Sequence, residues 1–545
     1  MTYTAHIDTF ARDHLPPREQ WPELIFDLPE LQYPERLNCA VELLDRNVVN
    51  GNGARIAIIG ADGSAWTYVE LLDRVNQITH VLRDDMGLVP GNRVLLRGAN
   101  SPMFAACWLA IVKAGMIAVG TMPMLRAKEL TDIITKAEVG AALCDARLAA
   151  ELNAAQAQCP SLTTIVLYFD ESPTGLEARM RGRPTDCIAA PTAADDTCMI
   201  AFTSGTTGRP KGTMHFHRDV MAATDCFPRS TLKATADDRF IGSPPLAFTF
   251  GLGGLLLFPL RVAASTVLLE RVTPDILVPA IERHRPTVLV TAPTTYRVVA
   301  LQLLGGGARP DLGSLRKCVA AGEPLPAGTR KLWKDATGIE IIDGIGSTEL
   351  LHIFISHTEA NAKPGATGTP IPGDPARVVD GAGKPLPPGQ VGRLAVKGPT
   401  GCRYLDDERQ LTYVQDGWNF TGDAYLVDDD GYFVYQARTD DMIISAGYNI
   451  AGPEVESALL QHPAVAECGV VGVADEQRGH VVAAFVVLKP GHAGDAAMAR
   501  TLQDFVKQTI APYKYPRVVR FIDALPRTET GKVQRFRLRQ VGTET

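Results

Sequence analysis

The sequence has no paired cysteines, no long uninterrupted apolar run and no large excess of charge of one sign. Its ten cysteines include no C-x-x-C pair, and none lies at zinc-ligand spacing from a histidine. We therefore expect unpaired, mostly buried thiols in a reducing compartment, the cytoplasm. Lys and Arg number 54 against 61 Asp and Glu, a net charge of -7, so we expect no nucleic-acid partner.

Neither of two apolar segments is typical of a membrane span. Stretch 104–125 is interrupted by Lys113, Gly115 and Gly120, which predicts a helix, a turn and a buried strand. Stretch 246–260 is short and rich in glycine. The N-terminal residues MTYTAHIDTFARDHLPP are polar and charged where a secretory leader is apolar. We expect no membrane partner.

The chain of 545 residues is 46% hydrophobic and 21% charged, which excludes disorder and predicts more than one folding unit. From about 55 to 170 apolar strands alternate with amphipathic helices, a pattern typical of layered α/β structure. After about 365 glycine and proline become dense, which favours short strands and turns. We predict a large N-terminal α/β domain at 1–438, with a β-rich subdomain at about 365–438. A small, mobile α+β C-terminal domain is predicted at 439–545.

The strongest motif is TSGTTGRPKG at 203–212, directly after the apolar run CMIAF. Its glycines let backbone N–H groups face an anion, its hydroxyl groups donate, and Arg209 and Lys211 are positive, which is typical of a phosphate-binding loop. The spacing is not that of a Walker A loop. A polar hairpin remains the alternative.

A second motif, DGIGSTE at 343–349, has Glu349 where a dinucleotide fingerprint has its third glycine. A carboxylate there repels a pyrophosphate unless a cation intervenes, so the motif favours a Mg²⁺ ligand. The same residues are also typical of a helix start, with Ser347 or Thr348 as N-cap.

Three further features carry functional side chains. Asp423, in WNFTGD, is a candidate ribose ligand or an ordinary turn residue, and Lys532, in PRTETGK, is a candidate phosphate clamp or a solvated surface residue. His215 and His217 share a face if they lie on one strand. With no further metal ligand near them in the sequence, we expect a structural or pocket-lining role. Serine hydrolase, zinc peptidase and kinase motifs are absent.

Taken together, TSGTTGRPKG, DGIGSTE, TGD, ARTDDMI and PRTETGK, in this order, resemble the acyl- and aryl-adenylate-forming enzymes over about residues 30–540. The segments DGIGSTELLHIF, AAGEPLPAG and SAGYNIAGPEVE are similar to the benzoate-type CoA ligases, and particularly to 2-aminobenzoate–CoA ligases. The resemblance implies stacked sheets with helices in the large domain and a C-terminal domain that rotates between two half-reactions.

The resemblance also implies roles for individual residues. Glu349 would hold Mg²⁺, Asp440 would be the hinge, and Gly447 and Arg478 would line the coenzyme A tunnel. Lys532 would bridge the carboxylate and the α-phosphate, and Thr348 would contact the α-phosphate. Gly322, Glu323 and residues 343–345 would frame the adenine, and Asp423 and Arg438 would bind the ribose. Many relatives stack an aromatic ring on the adenine where Ile345 stands. Together with Thr348 and Lys532, the implied ATP and AMP ligands are Thr203, Ser204, Gly205, Thr206, Thr207, Gly208, Lys211, Gly322, Glu323, Asp343, Gly344, Ile345, Gly346, Ser347, Asp423 and Arg438.

For the acid pocket the resemblance implies Phe248, Thr249, Phe250, Ala321 and His352. Phe248 and Phe250 offer flat apolar surface suited to an aromatic ring. Thr249 or His352 would hydrogen-bond an ortho amino or hydroxyl group, or both would only fill the pocket wall.

The predicted function is ATP-dependent ligation of an aromatic acid, such as 2-aminobenzoate, benzoate or salicylate, to coenzyme A through an acyl-adenylate. ATP, Mg²⁺ and coenzyme A are the expected cofactors and co-substrates, and the protein is expected to be a monomer or homodimer. Alternatives are adenylation of a medium-chain fatty or arylacetic acid, or transfer to a carrier-protein thiol or an amine. A luciferase-like monooxygenase and a nucleotide-binding module without catalysis are more remote.

Overall fold

The computed structural model of the protein describes residues 3–203, 210–305, 310–439, 441–445, 448–475, 479–510, 512–527 and 533–543. Within these ranges four sheets alternate with helices, as the α/β pattern predicts. The α-helices are Phe10–Asp13, Tyr68–His80, Pro102–Lys113, Ala127–Lys136, Ala149–Gln156, Leu176–Met180, His217–Asp225, Thr249–Leu252, Phe258–Arg261, Pro274–His284, Pro293–Leu304, Ala327–Thr337, Gln410–Tyr413, Gly452–Leu459, Ala496–Thr509 and Arg535–Thr543. Short π-helical and 3₁₀ segments extend or join several of them.

The largest sheet has nine strands, and its central strands are parallel. A strand that ends at Gly346 and an antiparallel neighbour that begins at Ile353 bring the turn 347–352 to one side of this sheet. In spatial order the strands are Thr369–Pro370, Ile353–Ser356, Ile341–Gly346, Lys317–Ala320, Val288–Thr291, Arg239–Gly242, Ser265–Val267, Ile56–Ile59 and Ala65–Thr67.

A six-stranded sheet carries the first motif. Its strands, in spatial order, are Thr164–Tyr168, Ala141–Asp145, Arg93–Arg97, Ile117–Thr121, Thr197–Thr203 and Lys211–Phe216. The last two pair antiparallel, with Thr203 opposite Lys211. The first motif therefore joins the ends of two adjacent strands.

Two five-stranded sheets follow. The first contains Ala376–Val379, Gly392–Val396, Val414–Gln415, Trp418–Val427 and Phe433–Arg438, in the region predicted to be β-rich. The second contains Ile443–Ser445, Tyr448–Ile450, Val465–Asp475, Gly479–Leu488 and Val518–Phe521 and packs with helices Gly452–Leu459 and Ala496–Thr509. This matches the expected large α/β domain and smaller α+β domain, while the boundary at 438/439 stays a prediction.

The apolar stretch 104–125 lies in the main core. Helix Pro102–Lys113 is buried on all sides, Gly115 adopts a positive φ of 75°, and the buried strand Ile117–Thr121 follows. The predicted helix, turn and strand are confirmed. Among the described residues, no helix is both long enough and apolar enough to cross a bilayer. The cysteines are unpaired and buried apart from the half-buried Cys187.

The structure excludes two of the alternatives left open by the sequence, and the condition attached to a third expectation is not met. Residues 347–352 form a turn rather than a helix start, because the chain reverses at once into the strand Ile353–Ser356. Asp423 lies within the strand Trp418–Val427, paired with Arg438, and not in a turn. His215 and His217 do not share a strand face, because the strand ends at Phe216 and His217 begins a helix.

Candidate active site

The first motif begins and ends at paired strands. Thr203 is the last residue of one strand and Lys211 the first of its neighbour. The predicted phosphate ligands Ser204, Gly205, Thr206, Thr207 and Gly208 lie outside the described residues, so their role stays a prediction. The Lys211 ammonium lies 3.5 Å from a carboxylate oxygen of Glu349. The fold therefore brings the ends of the two motifs together.

Tyr404 connects these two charged groups. Its hydroxyl accepts a hydrogen bond from Lys211 Nζ at 2.9 Å and donates to Glu349 Oε1. Burial, together with the Glu349 charge, raises the pKa of Tyr404 far above its ordinary value, so the hydroxyl keeps its proton. The protonated phenol can thus donate to the carboxylate while it accepts from the ammonium.

Sequence reasoning missed Tyr404 because its place depends on a contact between distant segments. Residues 403–405 lie alongside the strand Lys211–Phe216: Met214 N donates to Arg403 O, and Leu405 N to Gly212 O, each at 2.8 Å. Alternation along an extended segment sends Arg403 to one side and Tyr404 to the other. No motif in the sequence marks this pairing.

The turn 347–352 is held by side chains from other elements. Ser347 Oγ accepts the N–H of Leu350 at 3.2 Å and lies 3.2 Å from the Tyr413 hydroxyl. The Thr348 carbonyl oxygen lies 2.8 Å from Nε2 of His215. Glu349 is buried, whereas Thr348 and Ser347 are half-buried. The turn therefore presents a hydroxyl group beside a buried carboxylate.

The predicted adenine residues lie at the ends of two adjacent strands of the large sheet. Gly322 adopts a φ of 91°, a conformation that favours glycine. Glu323 accepts the backbone N–H of Thr294 at 2.7 Å and so caps the helix Pro293–Leu304. Asp343 is buried, and burial raises its pKa to about 7. Gly344 and Ile345 continue the same strand.

Gly346 permits a close approach of two chain segments. A Cβ there would lie 2.5 Å from the carbonyl oxygen of His352, so a side chain would force the turn open. Ile345, the residue before it, is half-buried and packs against the β-rich sheet. The glycine of the motif is thus explained by the geometry of the turn.

The predicted ribose ligands contact each other. Nη1 of Arg438 lies 3.3 Å from Oδ1 of Asp423 and donates to the carbonyl oxygen of Thr421 at 2.8 Å. The Asp423 side chain is 12% exposed and that of Arg438 is 42% exposed. The Asp423 carboxylate is therefore largely buried, whereas the Arg438 side chain is accessible to solvent.

His352, one of the residues predicted for the acid pocket, lies among three phenylalanine rings that we call the aromatic cage. Its ring centroid lies 5.7 Å from that of Phe250, 6.0 Å from Phe227 and 4.4 Å from Phe258. Burial lowers the pKa of His352 to about 3, so the imidazole is neutral near pH 7. Among the described residues its polar neighbour is the backbone of Phe250, and neither ring nitrogen completes a full hydrogen bond.

The other predicted pocket residues lie on neighbouring segments. Thr249 and Ala321 are buried, and Phe248 is half-buried immediately before the helix Thr249–Leu252. Sequence reasoning missed Gly253, where a Cβ would lie 2.3 Å from Cδ2 of His352. The absence of a side chain at Gly253 therefore makes room for the imidazole.

His217 belongs to a separate buried contact. Its Nδ1 lies 3.2 Å from Sγ of Cys39 and accepts the backbone N–H of Cys39 at 3.1 Å. Cys198 is the third member, and the three donor atoms lie within 4.8 Å of one another. Two residues of metal-ligand type therefore lie beside His217 in space, although neither is near it in the sequence. Because the Nδ1 lone pair accepts an N–H, we interpret the group as a structural contact.

Four further predicted residues lie outside the described part of the chain. They are the clamp Lys532, the hinge Asp440 and the coenzyme A residues Gly447 and Arg478. Their roles stay predictions.

Comparison with known proteins gives the same assignment along the chain. A family model for AMP-binding enzymes matches residues 45–403, and a model for the AMP-binding enzyme C-terminal domain matches residues 454–532. A benzoate–CoA ligase of Thauera aromatica is 36% identical over 517 residues, covering 94% of this chain and 97% of that protein.

Two solved structures are also similar. The anthranilate CoA ligase AuaEII, in complex with anthranoyl-AMP, is 35% identical with a TM-score of 0.89, covering 94% of this chain and 99% of that one. A benzoate CoA ligase from Burkholderia xenovorans LB400 is 32% identical with a TM-score of 0.83, covering 92% and 99%. With two motif-bearing segments meeting at Tyr404 and relatives matched along nearly its whole length, the chain belongs to the family of AMP-binding, adenylate-forming enzymes.

Proposed function

We propose that the protein ligates an aromatic carboxylic acid to coenzyme A, using ATP and releasing AMP and pyrophosphate. One observation carries the proposal: Thr348 and Glu349, which we assign to the α-phosphate and to Mg²⁺, lie on the same turn as His352. An aromatic acid bound beside His352 would have its carboxylate close to the groups assigned to the phosphates. Similarity to benzoate and anthranilate CoA ligases supports the same assignment.

In the first half-reaction, a carboxylate oxygen of the acid attacks the α-phosphorus of ATP. The bond from that phosphorus to the bridging oxygen breaks, and pyrophosphate leaves with the electron pair. Negative charge on the phosphate oxygens is then stabilised by Lys211, by the Thr348 hydroxyl and by Lys532. Asp423 and Arg438 hold the ribose in this proposal.

In the second half-reaction, the thiol of coenzyme A attacks the acyl carbon, loses its proton and displaces AMP. We assign rotation of the C-terminal domain about Asp440 to the change between the two steps. Gly447 and Arg478 are proposed to line the path of the incoming thiol.

The residues around Glu349 fit a magnesium ion. A buried carboxylate beside a hydroxyl group supplies the hard oxygen donors that Mg²⁺ prefers. Glu349 would hold the ion, which neutralises phosphate charge when bound. Tyr404 keeps the Glu349 carboxylate in place when no ion is there.

The cage favours an acid with a polar group next to its carboxylate. Phe227, Phe250 and Phe258 supply apolar surface for the ring, and His352 is the polar group among them. A neutral imidazole has one nitrogen that donates and one that accepts, so it can pair with an ortho amino or hydroxyl group. We therefore propose 2-aminobenzoate or salicylate ahead of benzoate, with Thr249 as a second polar contact.

The proposed partners are small molecules: the acid, ATP with Mg²⁺, and coenzyme A. A cytoplasmic location and a monomeric or homodimeric state complete the proposal.

The test is a mass analysis of acyl-CoA products from separate reactions with ATP, Mg²⁺ and coenzyme A. The acids would be benzoate, 2-aminobenzoate, salicylate, phenylacetate and octanoate. We expect aryl-CoA products, with the ortho-substituted acids strongest. Octanoyl-CoA alone would contradict the proposed pocket, and an adenylate that never becomes a thioester would contradict coenzyme A as acceptor.

A further inference from the structure

His215 is a fully buried histidine that contacts the backbone of the turn 347–352. It lies on the strand Lys211–Phe216, and its Nε2 is 2.8 Å from the carbonyl oxygen of Thr348. A carbonyl oxygen only accepts hydrogen bonds, so Nε2 carries a proton and donates it. The imidazole therefore holds the backbone of the residue whose hydroxyl faces the phosphate site.

The backbone of this turn depends on few local hydrogen bonds. Besides His215, the Thr348 carbonyl accepts the N–H of Leu351 at 3.2 Å. Leu351 has a φ of 70°, in the left-handed region that a leucine seldom adopts. Such a conformation persists where contacts with the surrounding structure hold the backbone in place. The short hydrogen bond from His215 is one of those determinants.

A buried ion pair lies next to His215. Asp219 lies with Oδ2 3.7 Å from Nδ1 of His215 and accepts the backbone N–H of Phe216 at 2.9 Å. The same carboxylate pairs with Arg403, and both side chains are fully buried. Arg403 precedes Tyr404, which contacts the Glu349 carboxylate. The backbone of Thr348 and the side chain of Glu349 are thus fixed from the strand Lys211–Phe216 and the residues 403–405 beside it.

We propose that His215 is a positioning residue for the adenylation step. By donating to the Thr348 carbonyl it keeps the Thr348 hydroxyl aimed at the α-phosphate, and it touches neither the acid nor the nucleotide. The inference rests on the proposed function. It predicts that loss of this one donor slows adenylation, while affinity for the acid, which is set by the cage around His352, is unchanged.

A pair of variants of similar length tests this. In His215→Gln the side-chain amide nitrogen takes the place of Nε2 and still donates, whereas His215→Met has similar length and no donor. A third variant, His215→Asn, keeps an amide that is too short to reach Thr348. The measurements are kcat and KM for acid-dependent ATP–pyrophosphate exchange and the thermal midpoint of each variant.

We expect His215→Met and His215→Asn to lower kcat of exchange by roughly 10-fold or more, the size found for partners one layer behind a site. KM for the acid should not change. His215→Gln should stay within about 3-fold of the wild type, with a thermal midpoint equal to that of the other two variants.

Three results would overturn the proposal. The first is a rate of exchange in His215→Met or His215→Asn equal to that of His215→Gln, and the second is a fall of kcat in all three variants in parallel with their thermal midpoints. The third is unfolding of both His215→Met and His215→Asn. The last result would assign the contact to the core. The wild-type control separates the two claims. If the wild type lacks acid-dependent exchange, the proposed function fails first; if it is active and the variants do not differ, only the role of His215 fails.

Discussion

Asp343 is a buried carboxyl group whose pKa is raised by burial from 3.8 to about 7. In the unfolded chain the group loses its proton near its ordinary pKa, whereas in the native protein it keeps the proton up to neutral pH. Between about pH 4 and 7 the native state therefore binds more protons, and the contribution of this group to stability falls as the pH rises. A one-unit shift corresponds to about 1.4 kcal/mol.

We therefore predict that Asp343→Asn, a neutral side chain of the same shape, removes this pH-dependent loss. Relative to the wild type, the variant should gain stability as the pH rises from about 4 to 7. Denaturant unfolding at several pH values measures the difference. Parallel stability curves for the two proteins would contradict a raised pKa for Asp343.

His352 is the residue that we expect to select the acid. His352→Leu, close in volume, removes both ring nitrogens and leaves the aromatic cage. The ratio of kcat/KM for 2-aminobenzoate to that for benzoate should fall about 10-fold, because an ortho amino group would be buried without a partner. Thr249→Val tests the second polar contact by the same ratio. If neither variant changes the ratio, both residues only fill the pocket wall.

The individual site residues differ in how far the sequence reveals them. The side chains of the two motifs indicate phosphate and metal binding directly, and these motifs contain Thr348, Glu349 and Lys211. Tyr404 lies 193 positions from Lys211 and 55 from Glu349, and its role arises only when two segments pair. The role of Gly253, which makes room for the His352 ring, likewise becomes visible only in the folded structure. Contacts made by tertiary pairing have no local pattern, so sequence reasoning could not find them.

At the scale of elements, apolar periodicity predicted the alternating strands and helices of the large domain. It failed at 347–352, where a cap-like sequence forms a turn because the next strand must pair back onto Ile341–Gly346. It also failed at His217, where the helix begins one residue after the strand ends. Both errors lie at element ends, where pairing with neighbours overrides local propensity.

The pairing of residues 403–405 with the strand Lys211–Phe216 depends on the buried ion pair between Asp219 and Arg403. Arg403→Met should leave the Asp219 carboxylate buried without its partner, which costs about 3–5 kcal/mol of stability. Lys331→Met is the control, since Lys331 pairs with Asp335 on an exposed helix surface. Its cost should be about 0.5 kcal/mol or less. Equal denaturation midpoints for the two variants would contradict this account.

At the scale of the molecule, we propose that residues of both domains take part in adenylation and that the C-terminal domain then moves for thioester formation. Lys532 is assigned to the adenylation step alone, so Lys532→Ala should slow acid-dependent pyrophosphate exchange by about 10²–10³. The same variant should still convert a supplied acyl-adenylate and coenzyme A to the thioester. Equal loss of both half-reactions would contradict this assignment.

A variant of Asp440 tests the proposed rotation of the C-terminal domain between the two half-reactions. Asp440→Pro fixes φ at the proposed hinge, so it should spare exchange and slow thioester formation. Rapid-quench measurement of the two half-reactions distinguishes these effects. Normal thioester formation would place the hinge elsewhere in the chain.

The central claim is that one protein joins an aromatic acid to coenzyme A through an adenylate. The most direct measurement is the stoichiometry of a single reaction with 2-aminobenzoate, ATP, Mg²⁺ and coenzyme A. We predict that AMP, pyrophosphate and 2-aminobenzoyl-CoA form in equal amounts, and that none forms without the acid. Formation of ADP and phosphate, or of AMP without any aryl thioester, would contradict it.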